Sequence, residues 1–248
     1  MLFVVACSKS DPDVTAPSIV DYTMDNKTED IEVAASGSTS LYYNVTDDQA
    51  LSEIRLDVHD AFDGHTHGKT ASFTKMSWEQ IDDLSGSVEA TNTIQVDVPS
   101  DAMAGAYHME AIVVDAAGNQ TPVTILDFIV TNSGQAVIDV TSHDLENDEV
   151  HIHGGDTVRI QGTITDDVDL DEIIIAVLEE HEHGKVGKTA EGELYLSDYD
   201  LGGSNDVSFT IDEEIYLPAG ETGHFELEIV AIDSDGNMTI VEGEIHAD

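Results

Sequence analysis

The chain has 248 residues, and its 52 Asp and Glu against 8 Lys and Arg give it a formal net charge of −44. So negative a surface repels phosphate backbones and anionic lipid, which excludes nucleic acid as a partner and leaves cations as the natural counterparts. Hydrophobic residues make up 40% of the chain, enough to bury real cores. We interpret the surplus carboxylate as adaptation to high salt or solubility rather than as ion storage.

The start of the chain predicts a lipid anchor. Residues 2–7 (LFVVAC) resemble a bacterial lipobox, and Cys7 is the only cysteine, so internal disulfides and thiolate metal clusters are excluded. We expect residues 1–12 to be leader and tether, with Cys7 lipidated. The protein would then be anchored to the outer membrane of the cell envelope, on its surface or periplasmic face, and touch the membrane only through the lipid. The alternative is an ordinary disordered N-terminus.

The apolar run before Cys7 is short, and it is not a membrane span. The apolar run is shorter than the roughly 7–15 residues of a signal core, so we expect a clipped or misassigned start codon. No other run approaches the about 18 apolar residues of a transmembrane helix.

An internal repeat divides the rest of the chain. Residues 31–48 align without a gap on residues 150–167, and Gly118-Asn119 later matches Gly236-Asn237 after a slip of one position. A repeat of this length predicts two homologous domains of ordinary size, here 13–132 and 133–248.

Both units are predicted to consist of strands. Residues 40–45, 93–98, 158–164 and 207–212 alternate apolar with polar side chains, as half-buried antiparallel strands do. The similar segments 115–119 and 233–237 have hairpin-turn composition. The fold class is therefore all-β, as two tandem immunoglobulin-like β-sandwich domains with about seven strands each. Only residues 77–84, which begin with a capping serine, suggest one or two helical turns.

Strand geometry brings histidines together in the first domain. If Ile54, Leu56 and Val58 face the core in the third strand, the next residue, His59, points outward. A core row through Tyr107 in the sixth strand turns His108 outward as well. Because the third and sixth strands are antiparallel neighbours in such a sandwich, the two imidazoles should be close.

We therefore predict a metal site on the first domain. Imidazole nitrogens suit Zn²⁺ or Cu²⁺, whereas Ca²⁺, which prefers oxygen ligands, is less favoured. The predicted ligands are His59, His65, His67 and His108, with Asp63 and Glu110 as supporting carboxylates. The alternative is that these histidines are solvated surface residues.

The second domain matches this pattern poorly. Leu178 and Glu226 stand where His59 and His108 stand in the first domain, which leaves a weaker second site built from His181, His183 and Glu226. We interpret the remaining His-x-His pair, His151 and His153, as exposed polar residues.

Residues 58–67, 105–108 and 115–119 together resemble the Bacteroidota lipoproteins grouped as domain of unknown function 4625. The resemblance implies an immunoglobulin-like fold on the cell surface or in the periplasm, and it implies no activity. It covers most of the first unit and, less well, the second, which departs from it at Leu178 and Glu226.

Enzymatic readings are not supported by the sequence. The triplets at 68–70 and 187–189 (GKT) lack the earlier glycine of a phosphate-binding loop, and there is no nucleophile elbow or zinc-protease helix motif.

Two non-catalytic hypotheses stay open. One is a lipoprotein that captures a transition metal and passes it to an outer-membrane uptake receptor. The other is a structural or adhesive module that binds a glycan or protein, with incidental histidines.

Overall fold

A computed structural model describes residues 12–61, 73–145, 149–179, 193–202 and 204–248. The first half contains the strands β1 (Ser18–Met24), β2 (Glu32–Ala34), β3 (Ser38–Thr46), β4 (Leu51–Asp60), β5 (Trp78–Asp83), β6 (Glu89–Asp97), β7 (Gly105–Asp115) and β8 (Thr124–Thr131). The second contains β9 (Val137–Val140), β10 (Val150–Ile152), β11 (Thr157–Thr165), β12 (Leu170–Glu179), β13 (Glu193–Asp200), β14 (Ser208–Tyr216), β15 (Gly223–Asp233) and β16 (Met238–Ala247).

Both halves have the same architecture of two facing sheets. In the first, a three-stranded sheet of order β1-β3-β6 faces a five-stranded sheet of order β2-β8-β7-β4-β5. The second repeats this with β9-β11-β14 and β10-β16-β15-β12-β13. The predicted all-β fold of two tandem immunoglobulin-like sandwiches is confirmed. Within the described ranges, no helix is long and apolar enough to cross a membrane.

The core rows predicted for the third and sixth strands are confirmed in β4 and β7. Ile54, Leu56 and Val58 are at most 2% exposed, and the row that begins at Tyr107 is fully buried. Since successive side chains of a strand point to opposite faces, the residues between them lie on the outer face of the five-stranded sheet. This alternation places the candidate site.

The helical prediction for residues 77–84 is wrong, because the segment forms edge strand β5, paired antiparallel with β4. Its side chains alternate as in a strand: Ile81 is 64% exposed, and Asp82 turns inward to accept a hydrogen bond of 2.8 Å from the Tyr43 hydroxyl. Local helix signals were overridden by pairing with β4, a non-local interaction that the local pattern does not contain.

The two sandwiches pack against each other. Ile174, Val230 and Ile232 lie on the outer face of the second five-stranded sheet, yet they are at most 4% exposed and belong to the hydrophobic cluster of the first sandwich. Met103 of the first sandwich approaches Gly236, whose added Cβ would meet the Met103 side chain at 3.1 Å. One end of this outer face is therefore an interdomain contact.

Asn237, which is fully buried, joins three segments at that contact. Its Oδ1 accepts hydrogen bonds from the Ala104 backbone N–H (3.1 Å) and the Asn132 side-chain amide (2.7 Å). Its Nδ2 donates to the Gly134 carbonyl (3.2 Å) and to Asp233 (2.8 Å). The hairpin turn of the second sandwich thus holds both the linker and the first sandwich.

Asn237→Ala should destabilise the protein by about 3 kcal/mol, because it leaves buried polar partners unsatisfied. Asn119→Ala is the matched control. Asn119 is the repeat equivalent, and its amide donates to the carbonyls of Asp13 and Thr15 near the surface, so its loss should cost only about 1 kcal/mol. Urea unfolding followed by circular dichroism measures both values. Equal losses of unfolding free energy in the two variants would mean that the contact of Asn237 with the first sandwich adds nothing to stability.

The carboxyl group of Asp233, which accepts a hydrogen bond from Asn237, should have a raised pKa. Burial raises its pKa to about 6, with a further contribution from the Asp166 charge, although hydrogen bonds from Asn237 act in the opposite direction. Because this pKa exceeds the unfolded value of about 3.9, the folded state binds the proton more tightly. This group should therefore add stability as the pH falls from about 7 to about 4. Carboxyl-carbon NMR should give a midpoint near 6, and a midpoint near 4 would contradict the burial argument.

Candidate metal-binding surface

The two strand histidines of the first sandwich lie side by side, as predicted. β4 and β7 are neighbours at the centre of the five-stranded sheet, and their register sets His59 directly opposite His108. The ring centroids are 5.5 Å apart, and the ring planes meet at 69°. Both residues are half-buried on the outer face, so their imidazoles are held by the strands but reach solvent.

Each of these imidazoles has a carboxylate on the same ring nitrogen. His59 Nδ1 lies 2.8 Å from Asp57 Oδ2, and His108 Nδ1 lies 2.6 Å from Asp127 Oδ1. An ionised carboxylate only accepts hydrogen bonds, so Nδ1 is the donor in each pair and the lone pair of the neutral ring is on Nε2. Metal-ligating histidines are commonly oriented by such carboxylates.

Glu110 adds an oxygen to this surface. Its Oε1 lies 3.9 Å from Nε2 of His59, the nitrogen that carries the lone pair. One ligand atom from each of Asp57, His59 and Glu110 lies within 4.8 Å of the other two. Glu110 was predicted to support the histidines, but its position also allows it to act as a ligand.

Several predicted residues lie outside the described part of the chain. These are Cys7, Asp63, His65, His67, His181 and His183. Glu226, the described member of the predicted second site, is opposite Leu178 on β12 and shares its face with Glu228 and Glu242. His151 and His153 are exposed, as expected.

Sequence analysis missed Asp127, which the structure places beside His108. β8 buries Leu126, Phe128 and Val130, so the residue between the first two lies on the outer face, opposite His108 on β7. The alternation of β8 was a usable signal. What it lacked was the exact register between β8 and β7, which the hairpin-turn composition at 115–119 leaves open.

A family model described as domain of unknown function (DUF4625) matches residues 5–126 and again residues 131–247. The chain belongs to this family. The double match agrees with the internal repeat. A comparison with proteins of curated function finds none that matches.

Solved structures with similar folds are remote in sequence. The fibronectin(III)-like modules of Clostridium thermocellum CbhA are 14% identical, with 92% of this chain and 94% of that chain covered and a TM-score of 0.27. The titin Ig tandem domains A164-A165 are 12% identical, with 94% and 97% covered and a TM-score of 0.27. A tetra-tandem repeat from the extending region of a large adhesion protein is 14% identical, with 94% and 50% covered and a TM-score of 0.34.

Proposed function

We propose that this chain is a non-catalytic module of the bacterial cell envelope that binds a divalent transition metal, Zn²⁺ or Cu²⁺, on its first sandwich. The observation that carries the proposal is the pair His59 and His108, each with Nδ1 held by a carboxylate and Nε2 left to bind a metal. The donor set of nitrogen with carboxylate oxygen suits these ions, whereas Ca²⁺ prefers oxygen alone.

The strands make this pair a favourable half of a chelate. His59 and His108 belong to adjacent strands, so little side-chain freedom is lost when a metal binds. In our proposal, His65 and His67 complete the ligand set from the segment that follows β4, and the bound ion is delivered to an outer-membrane uptake receptor. The strand histidines should therefore contribute more to affinity than either of the other two.

His59→Gln and His108→Gln should each weaken Zn²⁺ binding at this site by at least about 10-fold, a loss typical even for groups that only orient a ligand. Calorimetric titration of the full chain in excess Mg²⁺, which occupies exposed carboxylates, measures the effect. Wild-type affinity should also fall as the buffer is acidified, because protons compete with the metal for the imidazole nitrogens. His143→Gln is the control. Its ring Nδ1 lies 2.9 Å from the Ser142 hydroxyl, outside this surface. Unchanged binding in both variants would reject the site.

The cell-envelope part of the proposal depends on Cys7. The segment LFVVAC at residues 2–7 is followed by polar residues, as in an acylated tether. In a bacterial host, the full-length protein should incorporate a fatty-acid analogue and Cys7→Ser should not. Ser8→Ala, which changes the tether but keeps Cys7, is the control and should be labelled like the wild type. Equal labelling of the wild type and Cys7→Ser would remove the lipid anchor from the proposal.

A structural or adhesive module is the second candidate. The interdomain contact through Asn237 and the buried apolar row beside it favour this role, because they fix one sandwich against the other as a spacer requires. In this case the module presents a surface to a glycan or protein, and the histidines are incidental. Purified protein that carries no transition metal, and takes none up in excess Mg²⁺, would favour this candidate.

A further inference from the structure

Three histidines form a row on the outer face of the second five-stranded sheet. β10, β16 and β15 are adjacent strands, and their registers align His151 with His246 and His246 with His224. The ring centroids of His224 and His246 are 4.6 Å apart, and those of His151 and His246 are 5.3 Å apart. The repeat-equivalent residues in the first sandwich are Glu32, Ala106 and Ile129, so the row is particular to the second.

Glu149 lies against this row. Its Oε1 is 3.2 Å from Nδ1 of His224 and 3.4 Å from Nδ1 of His246. One ligand atom from each of the three residues lies within 4.8 Å of the other two. Two nitrogens and one carboxylate oxygen therefore converge from two strands and the segment before β10.

The polar atoms at this point are buried without hydrogen bonds. Glu149 Oε1 and His246 Nδ1 have no hydrogen-bond partner among the described residues, although they are close to each other. Unpaired buried polar atoms are costly, and each one in a folded protein calls for an explanation such as an ion. A cation between them would satisfy both atoms at once.

Asp248 fixes which nitrogen of His246 is available. Its Oδ1 lies 3.0 Å from Nε2 of His246, so Nε2 donates the hydrogen bond and the lone pair of the neutral ring is on Nδ1. This is the carboxylate and histidine arrangement that orients metal ligands in proteins. The free lone pair is the one next to Glu149.

The spacing also fits a tetrahedral ion. Ligand atoms about 2.05 Å from Zn²⁺ in tetrahedral geometry are separated by about 3.3 Å. The distances of 3.2 and 3.4 Å from Glu149 Oε1 to the two Nδ1 atoms match this edge. We infer that His224 Nδ1, His246 Nδ1 and Glu149 Oε1 form a transition-metal site of the Zn²⁺ class on the second sandwich.

The fourth position of the inferred site is left for a water ligand. Glu149 and Asp248 also line a cleft of about 440 Å³, which gives solvent a route to this edge of the sheet. His151 Nε2 lies 3.7 Å from Glu149 Oε2, where it supports the carboxylate from the side. The site shares no residue with the surface around His59 and His108, so it stands whether or not that surface binds metal.

The test is a Zn²⁺ titration of the full chain in excess Mg²⁺ by calorimetry. His224→Gln, His246→Gln and Glu149→Gln should each lower the affinity of one site by at least about 100-fold, the upper end of the loss seen for merely orienting groups. Asp248→Asn should lower it by about 10 to 100-fold. His153→Gln is the matched control and should bind as the wild type does, because His153 is an exposed histidine directly after β10 that lines the same cleft but supplies no ligand.

A double variant, His59→Gln with His108→Gln, separates this site from the one on the first sandwich. It should retain one Zn²⁺, which the further change His246→Gln removes. If the double variant alone loses all Zn²⁺, the second site is wrong and the proposed function stands. If His224→Gln and His246→Gln hold Zn²⁺ as tightly as His153→Gln does, the second site is wrong in any case.

Co²⁺ provides a readout of geometry. In the double variant His59→Gln with His108→Gln, which leaves only the second-sandwich site, tetrahedral Co²⁺ gives intense visible absorption that the further change His246→Gln should abolish and His153→Gln should keep. Only weak octahedral bands in this double variant would overturn the proposed ligand arrangement. Because His224 is 46% exposed at its side chain, the Gln variants should keep the wild-type circular dichroism spectrum without metal.

Discussion

The arrangement of the two sandwiches depends on the turn between β15 and β16. Asp233 and Asn237 are both fully buried, and the hydrogen bonds between them close the turn before Asn237 reaches the linker and Ala104. Without this turn, the half-buried amide of Asn132 and carbonyl of Gly134 in the linker would need other partners. The same pair exists in the first sandwich as Asp115 and Asn119, where it holds the chain that enters the domain. The duplicated turn thus became a joint between domains in one copy only.

This joint explains why the second sandwich has a more continuous apolar pattern than the first. In β12 the run from Ile173 to Leu178 is buried on both faces, because domain packing covers part of the face that is outward in β4. In β4 the outward positions at Asp57 and His59 are polar and half-buried. Burial of the outer face therefore decides where outward polar side chains can stand in each copy.

Much of the first sandwich was predictable from alternation alone. The inward rows of β4 and β7 fixed the outward positions of His59 and His108, and antiparallel pairing then brought them together. Asp127 and the row of His224 and His246 were not predicted, because the composition of a hairpin turn indicates that two strands pair but leaves their exact register open. The strand at residues 78–83 was missed because its edge pairing with β4 has no local signature.

The outer face of β15 carries three kinds of surface in order. Val230 and Ile232 bury against the first sandwich, Glu226 and Glu228 form an acidic middle, and His224 stands at the far end. At about 3.4 Å per residue, His224 is roughly 27 Å from Ile232. A partner could thus approach the histidine end without touching the interdomain contact. The acidic middle would attract cations toward the histidine end, because Glu226 lies two residues from His224, about 7 Å along the strand, which is within the Debye length of about 10 Å at 0.1 M salt. At the proposed sites, the acidic surface would raise the local concentration of cations around the nitrogen ligands.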